Sequence, residues 1–219
     1  MQPFFQDELA KLRKRIIKMF VLVAAQLNKS SQSVSNPDFE ATETELQNEN
    51  RIDRLDIKID KLCQRIFALA QPVATDLRFI MSSLRMASEI ERIGDIALDI
   101  IGRSETVRPF QDILAEFRIS QIFGEIIRMS EQAAEAYANN NNDLAREVIS
   151  SCSHTEELCK TAFNDVIARM TEKSQLIIIA TDLILIIRDL ERISNHLENV
   201  CDSIVFIVEG KRFRHQGQL

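Results

Sequence analysis

The chain has 219 residues, 45% of them hydrophobic and 27% charged, which is a globular balance with enough apolar material for a real core. Its net charge of −6 argues against the phosphate backbone of a nucleic acid as the main partner. Five glycines and four prolines are too few for the many tight turns of a β-rich chain.

Helical periodicity fills almost all of the sequence. A first helix is expected from Phe5 to Asn28, with Leu9, Leu12, Ile16, Met19 and Val23 on one face. The polar stretch Ser30–Asn36 and then Pro37 should end it. The second helix runs from Asp38 to Ala70 on the seam Ile52, Leu55, Ile59, Leu62 and Ile66. Pro72 separates it from a third helix that reaches Ile101, where Gly102 supplies a cap.

Arg103–Pro109 reads as the linker between two halves. A fourth helix then extends to Ala138, and Asn139–Asn142 forms a turn with Asn142 or Asp143 as the next N-cap. The fifth helix covers Asp143–Thr171, and the sixth opens at Ser174 and ends near Gly210. The tail Lys211–Leu219 is basic and expected to fray. The fold class is therefore all-α: six long helices forming two tandem three-helix bundles, residues 1–103 and 104–219. Helices of about 30 residues rise about 40–45 Å, so the bundles should be elongated, with antiparallel neighbours.

The apolar runs at 177–180 and 183–187 are interrupted by Thr181 and Asp182. No stretch offers the ~20 apolar residues of a membrane span, and the N-terminus lacks the order of a signal peptide. Cys63, Cys152, Cys159 and Cys201 show no metal-binding spacing, which reads as buried thiols in a reducing compartment.

Two third helices share a motif. Ile90-Glu91-Arg92-Ile93-Gly94-Asp95 is matched, 100 residues on, by Leu190-Glu191-Arg192-Ile193-Ser194-Asn195. A second echo, Ala74-Thr75-Asp76-Leu77 and Ala180-Thr181-Asp182-Leu183, is offset by 106 and cannot share the same ungapped alignment.

Acidic residues also recur at helical spacing. Glu91, Asp95 and Asp99 make one stripe; Glu191, Asn195, Glu198 and Asp202 make its counterpart. Glu49, Asp53, Asp56 and Asp60 fall within about 60° on a helical wheel. Like charges in a line cost stability unless water or a cation neutralises them. Two readings stand: an ordinary solvated face, or a site for hard cations such as Mg²⁺, Mn²⁺, Ca²⁺ or iron. The ferritin-like alternative needs Glu-x-x-His pairs, which His154, His196 and His215 do not form.

Gln71-Pro72-Val73-Ala74-Thr75-Asp76-Leu77-Arg78, followed by Glu91-Arg92-Ile93-Gly94-Asp95, resembles the central signature of the PhoU family. So does the stretch from Leu190-Glu191-Arg192-Ile193 through Val208-Glu209-Gly210-Lys211 and on to Phe213-Arg214-His215. The resemblance spans nearly the whole chain. It implies a cytoplasmic, homodimeric accessory protein that acts as a negative regulator of phosphate uptake and phosphate-starvation signalling. Its implied partners are the phosphate ABC transporter ATPase, the phosphate sensor kinase, or both. An accessory subunit of a sodium/phosphate symporter is the alternative, and no catalytic activity is expected.

Family members bind divalent or iron ions through paired Glu/Asp-x-x-x-Asp motifs. Carried over, these place ligands at Glu49, Asp53, Glu91 and Asp95, with Asp99, Glu191, Asn195 and Glu198 as weaker candidates. The second half departs from the pattern. Its counterpart on the fifth helix reads as Thr155–Cys159, in a register open by a residue or more, and Asn195 replaces an Asp. Metal is therefore expected in the first half and weakened or absent in the second. Arg92 and Arg192 are expected to form salt bridges. Phosphate binding by Arg78, Arg92 or Arg192 has no glycine-rich cradle to support it.

Overall fold

The structure is a computed structural model and describes residues 3–211. Seven α-helices make up the described part: α1 (Pro3–Ser35), α2 (Glu43–Leu69), α3 (Ala74–Val107), α4 (Gln111–Glu116), α5 (Ile119–Asn139), α6 (Asn142–Glu172) and α7 (Ile177–Glu209). A single 3₁₀ turn, Ser174–Leu176, leads into α7. No strand occurs among the described residues. Phe213, Arg214 and His215, and all of the basic tail except Lys211, lie outside them.

Several boundaries differ from expectation for local reasons. α1 continues through the serine-rich stretch because Ser30, Ser33 and Val34 carry its buried face onward, with the hydroxyls satisfied by the helix's own carbonyls. Ser30 Oγ donates to Leu27 O, Ser33 Oγ to Ser30 O and Ser35 Oγ to Ser31 O, at 2.8–3.0 Å. α2 starts later than Asp38, at a capping box in which Thr42 and Glu45 satisfy each other's backbone donors. α3 runs past Gly102, which lies inside the helix, because Ile101, Ser104 and Val107 continue the buried face. The stretch read as a linker is thus mostly the end of α3. The cap of α6 is Asn141, whose side chain accepts from the Leu144 amide at 3.1 Å.

The fourth expected helix is two helices. Leu114, Phe117, Ile119, Ile122 and Phe123 are all buried. A straight helix sets Phe117 and Ile119 about 200° apart, so it cannot bury both on one face. The chain breaks at Arg118, which adopts a left-handed conformation (φ 58°). That step turns both side chains inward and separates α4 from α5.

α1, α2 and α3 pack on one another, as do α5, α6 and α7. The most extensive helix contact is α3 against α7, and α1 also lies along α5. Cross-helix bonds show neighbours running antiparallel. Between α1 and α2, Glu8 meets Arg65 and the Leu22 carbonyl meets Asn48. Between α3 and α7, Glu89 meets His196 and Arg103 meets Asp189. One continuous core runs through both groups, from Leu12, Ile16 and Met19 to Leu197, Val200 and Val205.

All four cysteines are buried in this core. Burial pushes the Cys63 and Cys159 thiols up to about 12 and raises Cys201 well above its ordinary value. These three are protonated and chemically quiet at neutral pH.

Candidate metal centre

The site arises from two antiparallel helices that bring acids to one place. α2 contributes Glu49 and Asp53, four residues apart and therefore one turn apart on the same face. α3 contributes Asp95, one turn beyond Glu91. Carboxylate oxygens of Glu49, Asp53 and Asp95 all lie within 4.8 Å of one another.

Glu49 is the unusual member. It is only 8% exposed, and both its carboxylate oxygens are buried without a hydrogen-bond partner. Buried polar atoms are almost always paired, so this orphaned carboxylate calls for a proton or a cation. Burial first, then the charge of Asp95, a hydrogen bond that a protonated Glu49 would donate to Asp95, and the charges of Asp53 and Glu91 push its carboxyl up to about 8. Glu91 is raised by burial and by Asp95, Asp56 and Asp53, with Arg92 opposing. Burial also raises Asp56, which sits beside the charges of Asp60 and Asp53. Burial and neighbouring carboxylate charge thus disfavour ionisation of Glu49, Glu91 and Asp56.

The backbone leaves room for this carboxylate. Gly94 of α3 faces Glu49, and a Cβ there would lie 3.2 Å from Glu49 Oε2 and 3.0 Å from Ile52 Cδ1. An all-oxygen donor set suits hard cations such as Mg²⁺, Mn²⁺, Ca²⁺ or iron. The residues present fit such an ion: Glu49, Asp53 and Asp95 would hold it directly, with Glu91 beside them. Asp99 is exposed and is not part of the cluster.

The second half is built differently. Cys152 Sγ of α6 lies 3.3 Å from the Val148 carbonyl of its own helix and 3.6 Å from the Ser194 carbonyl of α7. Ser194 lies 100 residues after Gly94, so Cys152 occupies the place that Glu49 holds in the first half. The register on α6 is therefore three residues earlier than Thr155–Cys159: the pair equivalent to Glu49 and Asp53 is Cys152 and Glu156. Thr155, fully buried, corresponds to Ile52 and donates to the Ser151 carbonyl at 3.2 Å. Glu191 pairs with Arg188 at 2.6 Å, and Asn195 is exposed. Glu198 lies near the Cys201 thiol. Among the described residues, no three-ligand group forms around Glu191, Asn195 and Glu198.

The two echoes separate in the structure. The Glu-Arg-Ile copies occupy matching places on α3 and α7. Ala74 is the exposed first residue of α3, whereas Ala180 is buried inside α7. The second echo is a chance likeness.

Sequence reasoning missed the ionic contacts that join the two groups of helices. Glu89 of α3 meets His196 Nδ1 at 2.7 Å and accepts from Asn199 Nδ2 at 3.0 Å, both on α7. Burial works to raise the Glu89 carboxyl, but these bonds and the charges of His196 and Arg92 outweigh it and hold it below its ordinary value. Buried Asp189 of α7 answers from the other direction, with Arg103 of α3 at 3.4 Å and Arg192 at 2.9 Å. Arg192 thus makes a salt bridge within its own helix.

A family model described as PhoU domain matches residues 16–103 and again 119–204. The phosphate-specific transport system accessory protein PhoU homolog of Pseudomonas aeruginosa is 28% identical over 214 residues, covering 97% of this chain and 88% of that protein. The phosphate-specific transport system accessory protein PhoU of Escherichia coli is 27% identical over 216 residues, with the same coverage of 97% and 88%. The crystal structure of PhoU from Pseudomonas aeruginosa superposes with a TM-score of 0.86 at 27% identity, covering 94% of this chain and 100% of that one. The phosphate transport system regulatory protein PhoU from Streptococcus pneumoniae gives a TM-score of 0.85 at 24% identity over 95% of this chain and 98% of that one, a likeness of fold. With both halves matched by the family model, the chain belongs to the PhoU family.

Proposed function

We propose that this protein is an accessory regulator of phosphate transport that restrains phosphate uptake and phosphate-starvation signalling when phosphate is ample. The observation that carries the reading is the double match to the PhoU domain, together with relatives of nearly the same length named as accessory proteins of the phosphate-specific transport system. Those names favour an ABC-transporter setting over a sodium/phosphate symporter. The protein acts by contact, as a homodimer in the cytoplasm, on the transporter ATPase, the sensor kinase, or both. No helix among the described residues is long and apolar enough to cross a membrane, so membrane proximity comes through the partner. Its units are residues 1–103 and 104–219, a division supported by the two matched segments and by the packing of α1–α3 and α5–α7.

Deleting the gene should raise phosphate-starvation gene expression in high phosphate. Unchanged expression and uptake there would overturn the regulatory reading. Affinity capture from phosphate-replete cells should recover the transporter ATPase or the sensor kinase.

The acidic cluster is a metal centre of the first half, held by Glu49, Asp53 and Asp95 with Glu91 adjacent. Its support is the buried, unpartnered carboxylate of Glu49. A hard cation would neutralise the cluster and tie α2 to α3. The second half, with Cys152 and Asn195 in the matching places, binds weakly or not at all. Metal analysis with anomalous scattering tests this, and equal loading of both halves would refute it.

A further inference from the structure

We propose that Gly94 is a positioning residue for the acidic centre, and that Ser194 with Cys152 is the substitution that closes the equivalent place in the second half. The inference rests on the metal reading above and adds a residue that touches no ion itself.

The two halves match in size at this place. In the first half a long side chain, Glu49, lies over a residue with no side chain. A Cβ at position 94 would come to 3.2 Å from Oε2, 3.5 Å from Oε1 and 3.0 Å from Ile52 Cδ1. Ile52 is fully buried, so it has little freedom to retreat. The Glu49 carboxylate would have to shift by a few tenths of an ångström instead, which disturbs its placement beside Asp53 and Asp95. In the second half Ser194 stands where the first half has Gly94, and the shorter Cys152 approaches its backbone carbonyl at 3.6 Å; both residues are buried. Glutamate over glycine and cysteine over serine fill similar space, but only the first pair delivers a carboxylate to the helix-helix seam.

Glycine is not kept here for its backbone. Gly94 sits inside α3 with no left-handed torsion, where alanine is the better helix former by roughly 1 kcal/mol. Gly102 lies on the same helix, and a Cβ added there would meet nothing within 4 Å, so it gives the control for that propensity gain.

The test compares Mn²⁺ binding to the full chain, read by electron paramagnetic resonance, with thermal unfolding of the metal-stripped protein. Gly94→Ser should weaken Mn²⁺ binding at least tenfold, while Gly102→Ala leaves it within twofold. In unfolding, Gly94→Ser should lower Tm in the wild-type background and cost much less when Glu49→Cys is also present, since that pair reproduces the second half. Should Gly94→Ser not fold, Gly94→Ala carries the same comparison. Mn²⁺ binding by the wild type that persists within twofold in the Gly94 variant overturns this inference alone. Equal Tm costs in both backgrounds also overturn it, because the loss would then be general destabilisation. No Mn²⁺ binding by the wild type overturns the metal reading and this inference with it.

Discussion

Replacing Glu49 by glutamine should make the metal-free protein more stable, and more so as pH rises. Glu49 is held at about 8 in the folded chain, against 4.5 for an ordinary glutamate. Its folded form therefore binds a proton more tightly than its unfolded form does. Stability from this group is fully present below about pH 4.5 and is lost as pH climbs through about 8. At ~1.4 kcal/mol for each pKa step, the loss approaches about 4 to 5 kcal/mol at the top of that window. Glutamine keeps the shape, carries no charge and brings an N–H₂ donor to Asp53 and Asp95. Because it remains a buried polar group, the net gain should be about 2–4 kcal/mol near pH 8, falling towards zero near pH 5. For a chain of this size that is a Tm rise of roughly 5–12 °C at pH 8. The assay is thermal unfolding in chelator, wild type against variant, from pH 5 to pH 8.5; titrating groups outside the acidic cluster cancel in the difference, and the pH dependence belongs to Glu49 together with Asp95, Asp53 and Glu91. A variant that is less stable at pH 8, or a difference independent of pH, would refute the reasoning. Added Mn²⁺ should reverse the order, since only the wild type gains from the ion.

Glu89→Gln should loosen the contact of α3 with α7. The depressed carboxyl of Glu89 contributes stability above its ordinary pKa that is lost as pH falls through its folded value, so the variant should be destabilised at pH 7 by about 1–2 kcal/mol, with the penalty shrinking at acid pH. Amide exchange at the α3–α7 seam reads the effect locally, and an equal penalty at neutral and acid pH would count against it. Thr42→Ala removes the capping box of α2 and should cost about 1 kcal/mol in urea unfolding, with fraying confined to the first turn. Ile52→Ala empties a fully buried place beneath the acidic cluster and should cost about 2–5 kcal/mol; a loss under 1 kcal/mol would mean the seam there is not packed as described.

Most of the helical architecture is legible in the residues, because an apolar seam with a 3.6-residue period is a local property of the chain. The seams read for α1 and α2 coincide with buried faces, Leu9 alone being half-buried. Where the reading slipped, the signal was local but subtle. The two-residue step from Phe117 to Ile119 betrays the break at Arg118. The buried face of Ser30, Ser33 and Val34 carries α1 onward, although serine clusters usually mark loops. Gly102 looks like a cap but has buried residues on the same face beyond it.

The identities of the acidic residues, their helical spacing and the repeated Glu-Arg-Ile motif are determined by the sequence alone. So is the difference between Gly94-Asp95 and Ser194-Asn195. Extending the α2 seam backwards from Ile52 by helical steps reaches Glu49 and Glu45, so even the burial of Glu49 left a trace. Only the tertiary structure decided what that burial means. Whether a carboxylate on a helix face is solvated or trapped depends on what the next helix presents, and here that helix presents a glycine and another acid. The same dependence set the register of Cys152 against Ser194 and locked Glu89 onto His196. Periodicity tells which side of a helix is covered; only packing tells what covers it, and the chemistry of this site lies in that second fact.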